Sequence, residues 1–158
     1  MLLASHQERF AAHDHGDDVL DPSLTPVGRV MTTMPVVAPQ DMPIDEAQEL
    51  MLRAGVRHLP ITNGDRLVDV VTDRDVAQHA ASGRRSFAHG APPVTLCELL
   101  TGAVPYVCTP DTPLDVVARC MVATNTDVAV VVNEQMNVVG IFTAVDALRC
   151  VSGQLRMR

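Results

Sequence analysis

The residues of this chain best suited to chemistry come in two matched pairs, Thr72 with Asp75 and Thr143 with Asp146. Each pair closes a run that reads as a strand turning into a helix: Asp69-Val70-Val71-Thr72-Asp73-Arg74-Asp75 and Gly140-Ile141-Phe142-Thr143-Ala144-Val145-Asp146. A Thr three residues before an Asp is what a helix start uses for itself. The hydroxyl satisfies a free N–H, and the acid is favoured in the first turn. At the lip of a cleft the same groups could bind a ligand. Free N–H groups and a Thr hydroxyl can hold phosphate, and the carboxylate can accept two hydrogen bonds from a ribose diol. For one pair alone capping is explanation enough. Two copies at the same place in the same turn shift the weight toward binding.

The elements that position these pairs are also written twice. Residues 30–75 recur about 71 positions on as residues 99–146. Pro39 answers Pro110, Pro43-Ile44-Asp45 answers Pro113-Leu114-Asp115, and Met51 answers Met121. A unit this long exceeds most solenoid periods, and two copies point to one compact unit duplicated and packed on itself. In each copy a short extended stretch, Val36-Val37 or Tyr106-Val107-Cys108, precedes a proline-led helix. Ile44, Ala47, Leu50, Met51 and Ala54 share one face of the first helix; Leu114, Val117, Ala118 and Met121 share one face of the second. Pro43 and Pro113 suit a first helical turn, Thr112 suits an N-cap, and Gly55 suits a left-handed stop.

A hairpin follows in each copy. Residues 58–62 pair with 67–71 around Asn63-Gly64, and residues 128–132 with 138–142 through a longer turn. The unbroken Val, Ile and Ala of the second hairpin require cover on both faces. Closing helices opened by Thr72 and Thr143 run to about Gly83 and Gly153. The fold class expected is α+β: two repeated β-α-β-β-α units packed through their sheets about a pseudo-two-fold axis, since one small sheet cannot cover its own apolar face. The expected division is a mobile arm (1–26), repeat one (27–83), a turn-rich linker (84–95), repeat two (96–153) and a tail (154–158).

Composition narrows the function. The chain has 158 residues, 47% of them hydrophobic, but only 3% aromatic and no Trp, so the core must be aliphatic. A net charge of −7 argues against a nucleic-acid platform, which needs basic surface and stacking aromatics. No apolar run is long enough to span a bilayer, and His6, Glu8 and Arg9 break any signal-peptide shape, so a cytoplasmic location is expected. Cys97, Cys108, Cys120 and Cys150 lack paired spacing and read as reduced thiols. His6, His13, Asp14 and His15 could chelate a metal in principle, but a polar His/Asp arm usually does not, and no metal site is expected. Gly-rich phosphate loops and catalytic-triad spacings are absent, so an enzyme is not expected.

The order of these signals resembles a tandem pair of CBS domains, the module named after cystathionine beta-synthase. That family's pattern is an opening Met-Thr, an Ala-x-x-x-Met helix, a Leu-Pro-Val strand and a closing Gly-Ile-Val-Thr-x-x-Asp. Here these read Met31-Thr32, Ala47 to Met51, Leu59-Pro60-Ile61, and Val68-Asp69-Val70-Val71-Thr72 with Asp75. Copy two supplies Gly140-Ile141-Phe142-Thr143 and Asp146. The similarity spans about residues 27–152.

The resemblance implies a non-catalytic, stand-alone sensor that binds an adenosine-containing ligand in two clefts between the repeats: AMP, ADP, ATP, S-adenosylmethionine or NAD(H). It also implies a homodimer and a regulated protein whose identity the sequence does not name. Carried over by position, cleft one would use Thr33, Val36, His58, Leu59, Pro60, Thr72 and Asp75, with Arg57 and Arg74 as phosphate candidates. Cleft two would use Val107, Asp127, Val128, Ala129, Thr143 and Asp146. His58 on a strand reads as a packed or edge histidine sooner than as a ligand contact. Asp69 stands where the family has Gly and would place a carboxylate at the mouth of cleft one. Copy two has Ala129-Val130 for Leu-Pro and Ala144-Val145 for Asp73-Arg74, so cleft one is expected to be the better anion site. The alternative is a ligand-free interaction scaffold acting through its dimer.

Overall fold

A computed structural model describes residues 20–81, 93–102 and 104–154. The elements in chain order are β1 (Thr32–Thr33), β2 (Ala38–Pro39), α1 (Ile44–Ala54), β3 (His58–Asn63), β4 (Arg66–Thr72), α2 (Asp73–Ala81), β5 (Val107–Cys108), α3 (Leu114–Ala123), β6 (Val128–Val132), β7 (Val138–Thr143) and α4 (Ala144–Val151). They form a three-stranded sheet in the order β2-β3-β4 and a four-stranded sheet in the order β1-β7-β6-β5. The α+β architecture of two β-α-β-β-α repeats is therefore as expected.

Each sheet has an inner face under its own helices. In repeat one Ala38, Ile44, Ala47, Met51, Leu59, Ile61, Val71 and Val76 make one aliphatic core. In repeat two Cys108, Leu114, Val117, Met121, Ala129, Val131 and Phe142 make the other. Strand periodicity sends the intervening residues to the opposite face. Pro60, Val128 and Val130 are buried there yet belong to neither core. The two repeats meet through bonds across the halves: Leu67 N–H donates to the Met136 carbonyl at 3.1 Å, and His58 Nε2 meets Asp127 Oδ1 at 3.0 Å.

The segment leading into each repeat does not close that repeat. Val27 and Val30 pack into the core of repeat two, and Leu96 packs into the core of repeat one. The backbone bonds of the two leaders match. Leu114 N–H donates to Thr25 O (2.9 Å), Val27 N–H to Thr112 O (2.8 Å) and Gly28 N–H to Pro110 O (2.8 Å). In the other half Ile44 N–H donates to Val94 O (3.0 Å), Leu96 N–H to Met42 O (2.9 Å) and Cys97 N–H to Gln40 O (2.8 Å). Gly28 approaches so closely that a Cβ there would lie 2.9 Å from the Pro110 carbonyl oxygen.

These crossings explain several departures from expectation. Thr112 does not cap α3. Pro113 occupies the N-cap, and the first helical N–H groups are taken by leader carbonyls, Leu114 N–H by Thr25 O and Asp115 N–H by Pro22 O. The Thr112 hydroxyl instead accepts from Thr109 N–H at 3.1 Å. The opening strand of repeat one falls at Ala38–Pro39 rather than Val36-Val37, because the small Ala38 fits flush beside Ile61 in parallel pairing while Val37 stays exposed. Its counterpart begins at Val107, leaving Tyr106 just outside the strand. The first hairpin turns at Gly64-Asp65, one residue later than expected, since Asn63 pairs with Arg66. Gly55 ends α1 with φ of 64°, as its position implied. The expected end of the first closing helix, Gly83, lies outside the described residues, as do the His/Asp arm (His6, His13, Asp14, His15), most of the linker and the last residues of the tail.

Leu96 tests the leader exchange. Leu96→Ala removes a fully buried side chain from the core of repeat one and is expected to lower unfolding free energy by about 2–5 kcal/mol in urea melts. Leu52→Ala, on an exposed helix position, should change it by no more than about 0.5 kcal/mol. Equal effects would contradict the exchange.

Candidate functional site

Both Thr-x-x-Asp turns form reciprocal caps. Thr143 N–H and Oγ1–H donate to Asp146 Oδ2 at 2.9 and 2.7 Å, and Asp146 N–H donates back to Thr143 Oγ1 at 3.3 Å. Thr72 and Asp75 repeat the pattern at 2.8, 2.6 and 3.2 Å. The capping reading thus holds for both pairs, and it pins each carboxylate beside its Thr. Asp146 is further engaged, its Oδ1 accepting from Arg149 Nη1 at 3.0 Å.

Next to the first turn lies a groove of about 520 Å³ between the repeats. Repeat one supplies Asp69, Val70 and Thr72 from β4. The leader of repeat two supplies Thr101, Val104, Pro105, Tyr106 and Val107. Thr124 and Thr126, from the turn after α3, together with Asp127, Val128 and Val130 complete it. The expected sorting of residues by repeat therefore does not hold here. Thr72, assigned to cleft one, shares a groove with Val107, Asp127 and Val128, assigned to cleft two. The repeats face each other and their leaders cross, so one wall comes from each.

Thr33 shows the same crossing. β1 pairs antiparallel with β7, Thr33 opposite Gly140, which puts Thr33 beside the strand that ends in Thr143. Val36 is half-buried against the core of repeat one. Leu59 and Ala129 are fully buried in their own cores, and Pro60 is buried on the opposite face. The side chains of Leu59 and Ala129 thus point away from any opening. His58 is nearly enclosed and bridges to Asp127 across the halves. Asp75 is half-buried and joins the groove only through Thr72.

The two arginines are elsewhere. Arg57 Nε pairs with Asp73 Oδ2 at 3.3 Å and lines a separate hollow of about 390 Å³ between α1 and α2 with Gln48, Met51, Leu52 and Val76. Arg74 is exposed and outside both linings. Asp69, expected to place a carboxylate at the mouth of cleft one, does line the groove. It is 6% exposed, and its Oδ2 accepts from the Thr101 N–H at 3.1 Å, holding the leader of repeat two against β4. The matching position is Gly140, where a Cβ would collide with the Met31 side chain. Thr101 and Tyr106 were not singled out from sequence as site residues. The repeat itself carried a signal for Thr101, which stands near the counterpart of the Thr32-Thr33 segment.

Burial raises the titration of several groups in repeat two. Burial and then the charge of Cys120 push the Cys108 thiol up to about 11. Tyr106 is raised well above its usual range by burial, then by its hydrogen bond with Cys120 and the neighbouring thiols. Burial followed by the Asp146 charge raises Cys150. All four cysteines are free thiols, Cys97 exposed and Cys108 buried. Among the described residues no cluster of three His, Cys, Asp or Glu side chains could hold a metal ion, and no helix is long and apolar enough to cross a membrane.

Comparison with known proteins bears on what this arrangement is for. The family model for the CBS domain matches residues 27–82 and 101–153. The fold is similar to the crystallised CBS domain pair of protein MJ0100 in complex with 5′-methylthioadenosine and S-adenosyl-L-methionine: TM-score 0.72 and 28% identity, covering 83% of this chain and 98% of that one. It is also similar to CBSX2 in complex with AMP, with TM-score 0.67 and 26% identity over 82% of this chain and 97% of that one. Among curated sequences, an L-aspartate semialdehyde sulfurtransferase of Methanocaldococcus jannaschii is 29% identical over 132 residues. That match covers 83% of this chain but only 24% of the relative's length.

Two outcomes follow from the site geometry. Thr143→Ala removes a helix cap and should cost about 1 kcal/mol in denaturant unfolding, without a change of fold. Stability should also fall at high pH. The folded state holds Cys108 neutral, so its contribution is complete below the ordinary thiol value of 9.0 and is lost as pH rises toward about 11. Urea midpoints measured from pH 7 to 11 should decline above 9, and Cys108→Val should soften that decline; an unchanged slope would sink the assignment.

Proposed function

This chain belongs to the CBS domain family, and from that premise we propose that it is a regulatory module whose inter-repeat groove receives an adenosine-containing ligand. One observation carries the reading. The groove of about 520 Å³ lies where the Thr72 turn of one repeat faces the leader and β6 of the other. The ligands named for the two related CBS pairs, S-adenosyl-L-methionine with 5′-methylthioadenosine and AMP, support an adenosine moiety as the common element.

In this reading Val70, Val107, Val128 and Tyr106 offer an apolar slot for the base, with strand backbone as its hydrogen-bonding edge. The Asp75 carboxylate, held in place by Thr72, takes the ribose hydroxyls. A second groove would join Thr33, Val36, His58 and the Leu59-Pro60 backbone to Thr143 and Asp146. There Arg149 already occupies one carboxylate oxygen, so ligand entry requires Arg149 to swing away. Occupancy would act on a partner protein in the cytoplasm through the packing of the two repeats, because a ligand biases an equilibrium only by binding one arrangement better. The sulfurtransferase relative extends far beyond the matched segment, and no transfer chemistry is assigned to this chain. The working division remains repeat one at 27–83 and repeat two at 96–153, with an arm, a linker and a tail.

A second reading, a ligand-free scaffold acting through a homodimer, is favoured by a separate observation. Val145, Leu148 and Val151, spaced by three along α4, are exposed, and so is Val122 on α3. Such an apolar stripe suits a second copy of the chain. The two readings differ in their response to ligand.

Calorimetric titration with AMP, ATP, NADH and S-adenosylmethionine tests them. At least one should bind, and Asp75→Ala should weaken it by about tenfold or more, since hydrogen bonds to a charged carboxylate are each worth about 1.5–3 kcal/mol. Flat heats for all four, with a stable dimer in sedimentation and a melting temperature indifferent to nucleotide, would replace the sensor reading with the scaffold.

A further inference from the structure

The charge of the groove discriminates among adenosine compounds. Among the described residues its lining contains two carboxylates, Asp69 and Asp127, and no Lys or Arg. We infer that it selects a nucleoside whose 5′ substituent is uncharged or positively charged and disfavours nucleotides increasingly with each phosphate. The inference deepens the proposed function and rests on the groove being an adenosine site.

Three features support the selection. The first is that the turn at Thr72 has few donors left for a phosphate. Thr72 N–H and Oγ1–H are given to Asp75, Asp75 N–H to Thr72 Oγ1, and Asp73 N–H to the Arg57 carbonyl at 3.1 Å. A helix start attracts anions mainly through such unsatisfied N–H groups, and here those of Thr72, Asp73 and Asp75 are already taken. Secondly, the two cations expected to greet phosphate lie outside the groove lining: Arg57 pairs with Asp73 beside the outer hollow, and Arg74 is exposed.

Thirdly, the negative charge cannot easily move aside. Asp69 is 6% exposed and is tied to Val70 N–H at 2.7 Å and Thr101 N–H at 3.1 Å. Asp69 is thus the fixed charge, whereas Asp127, its side chain 66% exposed, is bonded to His58 at 3.0 Å. A fixed carboxylate beside a ligand anion is felt strongly where water is partly excluded, and the same field favours a cation such as a sulfonium.

Affinity measured by calorimetry for four probes decides the matter: S-adenosylmethionine, 5′-methylthioadenosine, AMP and ATP, at low and high salt. The cationic and neutral probes should bind at least about tenfold tighter than AMP, and ATP should be weakest. Added salt should narrow the gap, because it screens exposed charge. Asp69→Asn keeps an acceptor for Thr101, and Asp127→Asn keeps one for His58. Each should fold with a near-native melting temperature and narrow the preference over AMP severalfold. AMP or ATP binding as tightly as the neutral probe would overturn the selection and leave the adenosine site standing, as would a preference unchanged in both variants. Silence from all four probes would instead remove the site itself, and the inference with it.

Discussion

The structure depends on an exchange of backbone between its halves. The apolar core of each repeat is completed by the leader that precedes the other repeat in sequence. Val27 and Val30 fill repeat two, while Leu96 fills repeat one. The leaders also satisfy the free N–H groups at the starts of α1 and α3, a role that side-chain caps would otherwise serve. Both helices begin with proline at the N-cap and make no side-chain cap bond. Removing either leader would therefore expose apolar surface and strip donors from a helix end in the other half. Neither repeat is energetically complete alone.

The same exchange makes the groove. A leader crossing to the opposite repeat must pass along the last strand of a hairpin, and there it meets the Thr-x-x-Asp turn. On one side this crossing is a strand pairing, Thr32-Thr33 against Gly140-Ile141, with Met31 fitted where any Cβ would intrude. On the other side a side chain does the work, the Asp69 carboxylate holding the Thr101 N–H. One backbone plan is thus closed by two different local chemistries. The carboxylate gives the first groove a negative floor that Gly140 cannot provide at the matching position.

A ligand seated between halves joined in this way touches both at once. Its walls belong to different repeats, so occupancy is linked to how the sheets lie on one another, where His58 and Asp127 also meet. A sensor requires an element shared by two bodies whose relative packing has more than one arrangement, and the groove is such a shared element.

Sequence alone was enough for the duplication, the α+β class, the helical faces apart from Ala54, which is exposed, the Gly55 stop and the Thr-x-x-Asp turns. Each of these is a short-range matter of periodicity, turn chemistry or capping, decided within a few residues. It was not enough for the partnership of the groove walls. Thr72 belongs with Val107, Asp127 and Val128 because groups far apart in the chain meet, the Asp69 carboxylate with the Thr101 N–H and His58 with Asp127, and no short-range pattern marks such partners. The same holds for Thr112, a sound cap by composition whose place was taken by the carbonyl of Thr25. Arg57 was a fair phosphate candidate by charge, and only the tertiary structure placed it against Asp73, facing a different hollow. Residue types fixed which groups could act, and packing decided which of them meet.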